Sequence, residues 1–182
     1  MMENVGAVYW FTGLSGSGKT TLSKAAAAAL RERGVPCLLI DGDEFRSGVC
    51  SDLDFSQDSR LENLRRAGEV ARLFSRQGFI CLCAFISPYQ SVREALRAKI
   101  GPAYHEIFVD CPLEECIRRD PKAHYRRART GEIANFTGMG APYEPPREPD
   151  LRVRTDMHTA DACTLQILDY IWAHSQGLPP RP

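Results

Sequence analysis

Three glycines, a lysine and a threonine in the stretch Gly13-Leu14-Ser15-Gly16-Ser17-Gly18-Lys19-Thr20 carry the most specific chemistry in this chain. Gly13, Gly18, Lys19 and Thr20 fit the spacing G-x-x-x-x-G-K-[ST]. Glycines let the backbone curl until several N–H groups point inward, which makes an anion-binding nest. A helix that follows adds the positive end of its dipole. Lys19 would then reach the β- and γ-phosphates of a nucleoside triphosphate, and the Thr20 hydroxyl would ligate Mg²⁺. The alternative is a glycine-rich turn that holds nothing.

A second group lies further along. Asp43 is placed to orient an acceptor hydroxyl or take its proton, and Asp41 to hold Mg²⁺ through water. Asp41-Gly42-Asp43 is also good turn chemistry. Arg46, Phe55, Arg60, Asn63, Arg65 and Arg66 form a basic cluster with one aromatic. Such a cluster suits an acceptor that carries both an anion and a flat base, with Arg for the anion and Phe for stacking. Phe55 would serve equally as a hydrophobic staple for a helix starting at Ser56. Lys122, Arg126, Arg127 and Arg129 would clamp phosphates as a flap closes, or line a solvated helix face.

These residues need elements to position them. Val5 to Phe11 reads as a strand, and Thr20 to Arg33 as an alanine-rich helix with Gly34 just past its end. Cys37 to Ile40 reads as a short buried strand and Ser56 to Gln77 as a helix capped by Ser56. Phe79 to Phe85 is a third strand. Ser87-Pro88 opens a helix running to about Ile100. Ile107 to Asp110 is a fourth strand, Pro112 to Arg119 a short helix, Leu151 to Arg154 the last strand, and Thr159 to Ser175 the closing helix. Residues 120–150, rich in Pro and Gly among basic and aromatic residues, read as a mobile flap, and 177–182 as a Pro-rich tail. Apolar strands alternating with helices predict an α/β fold with a parallel five-stranded sheet covered on both faces. Ligands in such folds sit beyond the carboxyl ends of the strands. That places the loop at 13–20, Asp41, Asp43, Ser87 and Asp110 together.

The chain has 182 residues, which predicts a single domain over 1–182. Lys+Arg and Asp+Glu are equal at 23 each, which argues against a general role on nucleic acid or a membrane surface. There is neither a charged leader with an apolar run nor a stretch long enough to span a bilayer, so a cytoplasmic protein is expected. The seven cysteines include no C-x-x-C pair and read as small buried hydrophobes; Cys81 and Cys83 would face one side of their strand. A phosphate loop alone does not separate kinases from GTPases or motor ATPases. The guanine-reading N-K-x-D is missing, and a short chain with a basic flap favours a small-molecule kinase, which needs a lid to exclude water.

The residues resemble a known family, the adenylylsulfate (APS) kinases. The matches run along nearly the whole chain. They include Trp10 to Thr20, Asp41-Gly42-Asp43 with Arg46, Phe55-Ser56 with Asp58, Arg60, Glu62, Asn63, Arg65 and Arg66, Ala84 to Tyr89 with Arg93, Val109-Asp110, Arg119-Asp120, Lys122, Tyr125, Gly131-Glu132-Ile133, Phe136-Thr137-Gly138 and Pro142-Tyr143-Glu144. The resemblance implies a three-layer phosphate-loop kinase fold with a mobile basic lid. It implies transfer of phosphate from ATP, with Mg²⁺, to the 3′-hydroxyl of adenosine 5′-phosphosulfate, and a homodimer. Carried over by position, Gly13, Leu14, Ser15, Gly16, Ser17, Gly18, Lys19, Thr20, Thr21 and Arg119 would hold ATP. Asp43, Arg46, Phe55, Arg60, Asn63, Ile86, Ser87, Lys122, Asn135 and Phe136 would hold APS, with Phe55 and Phe136 sandwiching its adenine. It also implies a phosphoserine at Ser87, although in-line transfer needs no covalent step and a Ser beside Pro88 has an ordinary capping role. The chain departs from the family at Thr20, usually Ser, at Ala134-Asn135, often Lys-Gly, and at Met139-Gly140, often Ile-Asp. Nothing resembles the ATP sulfurylase that is fused to this domain in some organisms. A kinase for gluconate or a nucleotide, and a non-catalytic nucleotide switch, are the alternatives.

Overall fold

The computed structural model describes residues 6–133 and 135–179. Val5, Ala134 and the tail residues 180–182 lie outside them. The elements run β1 (Ala7–Thr12), α1 (Lys19–Glu32), β2 (Cys37–Asp41), α2 (Gly42–Ser47), α3 (Gln57–Ser75), β3 (Ile80–Ala84), α4 (Gln90–Ile100), β4 (Tyr104–Asp110), α5 (Leu113–Arg119), α6 (His124–Arg129), β5 (Leu151–Arg154) and α7 (Ala160–His174). The strands form one sheet in the order β2-β3-β1-β4-β5, and every pairing is parallel. Each parallel step needs a crossover, and the helices supply it.

Strand periodicity splits β1 between two cores. Tyr9 and Phe11 face Leu22, Ala26 and Leu30 of α1 and Ile167 and Ile171 of α7. Val8 and Trp10 face Leu64, Ala67 and Ala71 of α3 and Leu96 of α4. β1 is therefore buried on both sides, as its unbroken apolar run predicts. Cys81 and Cys83 share the second core. Among the described residues, no helix is long and apolar enough to cross a membrane.

Several expectations need correction. Asp41-Gly42-Asp43 is not merely a turn. The Asp41 carboxylate accepts from the Asp43 N–H at 3.1 Å and caps α2, a six-residue helix too short to show a period. The helix expected from Ser87-Pro88 starts only at Gln90, because Ser87 takes a left-handed φ of +39° and its hydroxyl is engaged elsewhere. The cap comes instead from Glu144, whose carboxylate accepts from the Gln90 N–H at 2.7 Å. β4 begins at Tyr104, three residues before the expected Ile107. The flap is not all periphery: it contains α6, and Tyr125 and Phe136 are buried with Cys111 and Cys116 against Leu14. The start of the tail packs too, since Leu178 lies on the first core and the Trp172 indole donates to the Pro179 carbonyl at 2.9 Å.

Candidate active site

The loop at 13–20 joins the end of central β1 to α1, and its shape has physical causes. A Cβ on Gly13 would sit 2.5 Å from the Val109 carbonyl oxygen. Gly16 holds φ +77°, and a Cβ there would meet the Cys116 carbonyl at 3.0 Å. No bulkier residue fits the first, and an L-residue is strained at the second. Three consecutive carbonyls are turned outward by donors behind the loop. The Tyr125 hydroxyl donates to Ser15 O at 3.0 Å, Arg119 to Gly16 O at 3.4 Å and the Thr155 hydroxyl to Ser17 O at 2.7 Å. With these carbonyls drawn outward, the Gly16 and Gly18 N–H groups can face the nest, while the Ser17 N–H closes a turn on Leu14 O at 3.2 Å. Gly18 precedes α1 without a side-chain cap, so that fourteen-residue helix presents its first-turn N–H groups to an anion.

Lys19 is buried, and its ammonium donates to the carbonyls of Gly13 at 2.8 Å and Leu14 at 2.7 Å. Burial pushes its pKa down to about 8. Thr20 donates to the Asp41 carboxylate at 2.7 Å. Burial acts to raise the Asp41 pKa, but the hydrogen bonds from Thr20 and the Asp43 N–H, with Lys122 nearby, outweigh it and hold the carboxyl below its ordinary value. The pair is all oxygen, which suits a hard cation such as Mg²⁺. Thr21 is exposed on the first turn of α1. Arg119 reaches the loop from behind, with its guanidinium also bonded to Thr155 and Glu115.

On the acceptor side, Asp43 forms an ion pair with Lys122 of the flap. The Arg46 guanidinium lies 4.9 Å from the Phe55 ring centroid and donates to Asp54 O at 2.7 Å. Arg60 donates to Phe55 O at 2.9 Å. Asn63 is buried with Oδ1 unpartnered, an acceptor turned toward no protein donor. Phe55 is 71% exposed and the residue at its staple position is Arg60, so the staple reading fails. Arg65 and Arg66 do not join this group: they pair with Glu62 and Asp52 on the outer face of α3. Phe136 packs edge-on against Tyr125 at 5.1 Å and has no ring contact with Phe55 among the described residues. Asn135, beside it, is exposed with φ +51°. Arg126 and Arg127 are exposed and paired with Asp120 and Glu132, whereas Lys122 of the same run turns to Asp43. Asp110 is held by Arg152 at 2.9 Å and Arg154, which makes it a brace between β4 and β5.

Ser87 is not an N-cap. It is 2% exposed, accepts from the Trp10 indole N–H at 3.1 Å and donates to the Thr12 hydroxyl at 3.0 Å. Thr12 in turn donates to Ile86 O at 2.8 Å. A left-handed serine costs on the order of 1 kcal/mol or more and persists because these bonds over-determine it. The hydroxyl is thus buried and engaged by Trp10 and Thr12. Thr155, Tyr125 and Thr12 were not singled out by chemistry in the sequence: each acts from a distant position on a backbone or hydroxyl group that no short motif names.

A phosphate nest on a parallel sheet, an acidic pair at the next strand end and an exposed aromatic with basic neighbours define a phosphate-loop kinase of a small acceptor. The sequence matches the family described as adenylylsulphate kinase over residues 5–154. It is 51% identical to the adenylyl-sulfate kinase of Marinobacter nauticus over 164 residues, 89% of this chain and 82% of that one. The fold superposes with a TM-score of 0.87 on the Mycobacterium tuberculosis APS kinase CysC, a structure in complex with AMPPNP and APS, at 41% identity over 92% of this chain and 98% of that one. A hexameric APS kinase from Thiobacillus denitrificans matches with a TM-score of 0.71 and 33% identity, over 94% of this chain and 29% of that one. The chain belongs to the adenylylsulphate kinase family.

Proposed function

We propose that this chain transfers the γ-phosphoryl group of ATP to the 3′-hydroxyl of adenosine 5′-phosphosulfate, giving ADP and 3′-phosphoadenosine 5′-phosphosulfate. The observation that carries the reading is the exposed Phe55 ring with Arg46 and Arg60, set on the acceptor side of a phosphate nest. A sugar-acid acceptor has no flat base for that ring. The nest N–H groups and Lys19 hold the ATP phosphates and balance charge that develops in the transition state. Thr20 and Asp41 would hold Mg²⁺, which supplies charge neutralisation at the transferring group. Asp43 orients the 3′-hydroxyl and accepts its proton as the new O–P bond forms and the bond to the ADP oxygen breaks. Lys122 and Asp43, ion-paired with each other in the free protein, would exchange partners when the acceptor arrives; their pairing supports placing both on the acceptor side. The single-domain organisation, a cytoplasmic location and a homodimer are part of the same proposal; sedimentation of the purified chain tests the last.

A coupled ADP-release assay with ATP and Mg²⁺ tests the reaction, with APS, AMP, gluconate or no acceptor added in turn. ADP release with APS alone is expected, and lost on chelation of Mg²⁺. Release driven by gluconate or AMP would reassign the Phe55 and Arg cluster. Tight ATP binding with no release would make the chain a nucleotide switch.

A further inference from the structure

The residues Pro142-Tyr143-Glu144 have no part in the roles above, yet they tie the far end of the flap to the acceptor loop. The Glu144 N–H donates to Pro88 O at 2.8 Å, and the Glu144 carboxylate caps α4 at Gln90. Arg93, 1% exposed, donates to Ser87 O at 2.7 Å and to Glu144 O at 2.8 Å, and it is ion-paired with buried Glu106 at 2.8 Å. The Tyr143 ring lies flat against Phe108, centroids 6.3 Å apart. Its hydroxyl is 3.0 Å from the Thr12 hydroxyl.

Counting protons settles the direction of that last bond. A hydroxyl has one proton and two lone pairs. Thr12 gives its proton to Ile86 O and accepts one from Ser87. One lone pair remains, so Tyr143 is the donor. Thr12 is then saturated, and it sits completely buried between the end of the phosphate-loop strand, the 86–88 loop and the flap. The same hub keeps Ser87 in its left-handed conformation.

We infer that Tyr143 is a positioning residue for the acceptor: through Thr12 it fixes the shape of the 86–88 loop. It touches no reacting atom. Loss of its proton leaves a Thr12 lone pair empty in a buried hub and loosens the one conformation that the Thr12 bonds to Ile86 O and the Ser87 hydroxyl hold. The nucleotide side is untouched, because the loop at 13–20 is braced by Tyr125, Arg119 and Thr155 instead. The inference rests on the acceptor site lying on this side of the nest, as proposed above.

The test is Tyr143→Phe, which keeps the ring on Phe108 and removes only the hydroxyl. The Michaelis constant for the acceptor is expected to rise roughly tenfold, as for the loss of one buried hydrogen bond. kcat and the constant for ATP stay within about twofold. Thr12→Ser, which keeps the hydroxyl, should match the wild type, and Tyr143→Phe should add little in a Thr12→Val background. A second readout needs no turnover. The Trp10 indole N–H donates to Ser87, so its hydrogen exchange, followed by NMR against Trp172, should accelerate about tenfold in Tyr143→Phe. An unchanged acceptor constant with unchanged Trp10 exchange would overturn the inference, as would equal losses for ATP and acceptor. The constant is measured with whichever acceptor drives ADP release. A chain that uses something other than APS therefore fails the proposed reaction while leaving this test intact.

Discussion

Phe55→Ala separates a binding role from a structural one because the two make opposite demands on the same ring. The ring is 71% exposed, so less than a third of its surface is covered, chiefly by Arg46. A phenylalanine offers about 200 Å², so roughly 60 Å² is buried. At ~25 cal/mol per Å² that caps its share of folding stability at about 1.5 kcal/mol. For a chain of this size the melting temperature should fall by no more than about 5 °C. Stacking on a base is worth ~1–3 kcal/mol, which predicts a rise of roughly 5- to 150-fold in the dissociation constant for APS. Isothermal titration with APS, alongside a thermal melt of the free protein, reads both quantities on one sample. Phe55→Trp should restore binding, since any flat ring serves. Unchanged APS affinity combined with a larger drop in melting temperature would refute the reasoning and return Phe55 to the fold.

Asp43→Asn should lower kcat by at least ~10²-fold with ATP affinity within a few-fold; a collapse of ATP binding, measured by titration, would make Asp43 a structural or metal-holding residue instead. Ser87→Ala should keep kcat within about tenfold while weakening the acceptor, because in-line transfer needs no covalent step and the hydroxyl braces the loop through Trp10 and Thr12; an inactive, folded variant would restore the phosphoserine reading. Lys19 gives a pH signature. Its folded pKa is depressed to about 8 from 10.5, so the unfolded chain holds the extra proton between those values, and stability rises with pH across that window. The charge costs the free protein about 3 kcal/mol below pH 8 and nothing above pH 10.5. Urea titrations of wild type and Lys19→Met at pH 7.5 and pH 10 should therefore show the variant's advantage shrinking as pH rises; a constant gap would sink the assignment.

The nest and its strand and helix were legible because their causes are local. Glycine spacing, an apolar run before it and helix formers after it all lie within thirty residues. The parallel sheet was legible too, since strands buried on both faces show no polar alternation. What escaped the sequence was set by partners far away. The start of α4 slipped to Gln90 because the Ser87 hydroxyl answers to Trp10 and Thr12, 77 and 75 residues distant, while the cap is lent by Glu144. The flap looked peripheral because the apolar neighbours of Tyr125 and Phe136 include Leu14, at the opposite end of the chain. α2 is too short to carry a period. Arg65 and Arg66 looked equivalent to Arg46 and Arg60 in a list of charges, and only the face of α3 tells them apart.

The braces behind the phosphate loop bear on how the chain is made. Thr155 lies 138 residues after the Ser17 carbonyl it supports, and Tyr125 lies 110 residues after Ser15. β1, which precedes the other strands, pairs on either side with β3 and β4, so it waits for Tyr104–Asp110 before it has both neighbours. Long-range parallel pairing of this kind is slow and leaves apolar strands uncovered meanwhile. A nascent chain stalled before Thr155 would carry the complete nucleotide motif yet lack a brace for it. Retention on immobilised ATP would then report the finished fold, although the motif itself is complete once Thr20 has been made.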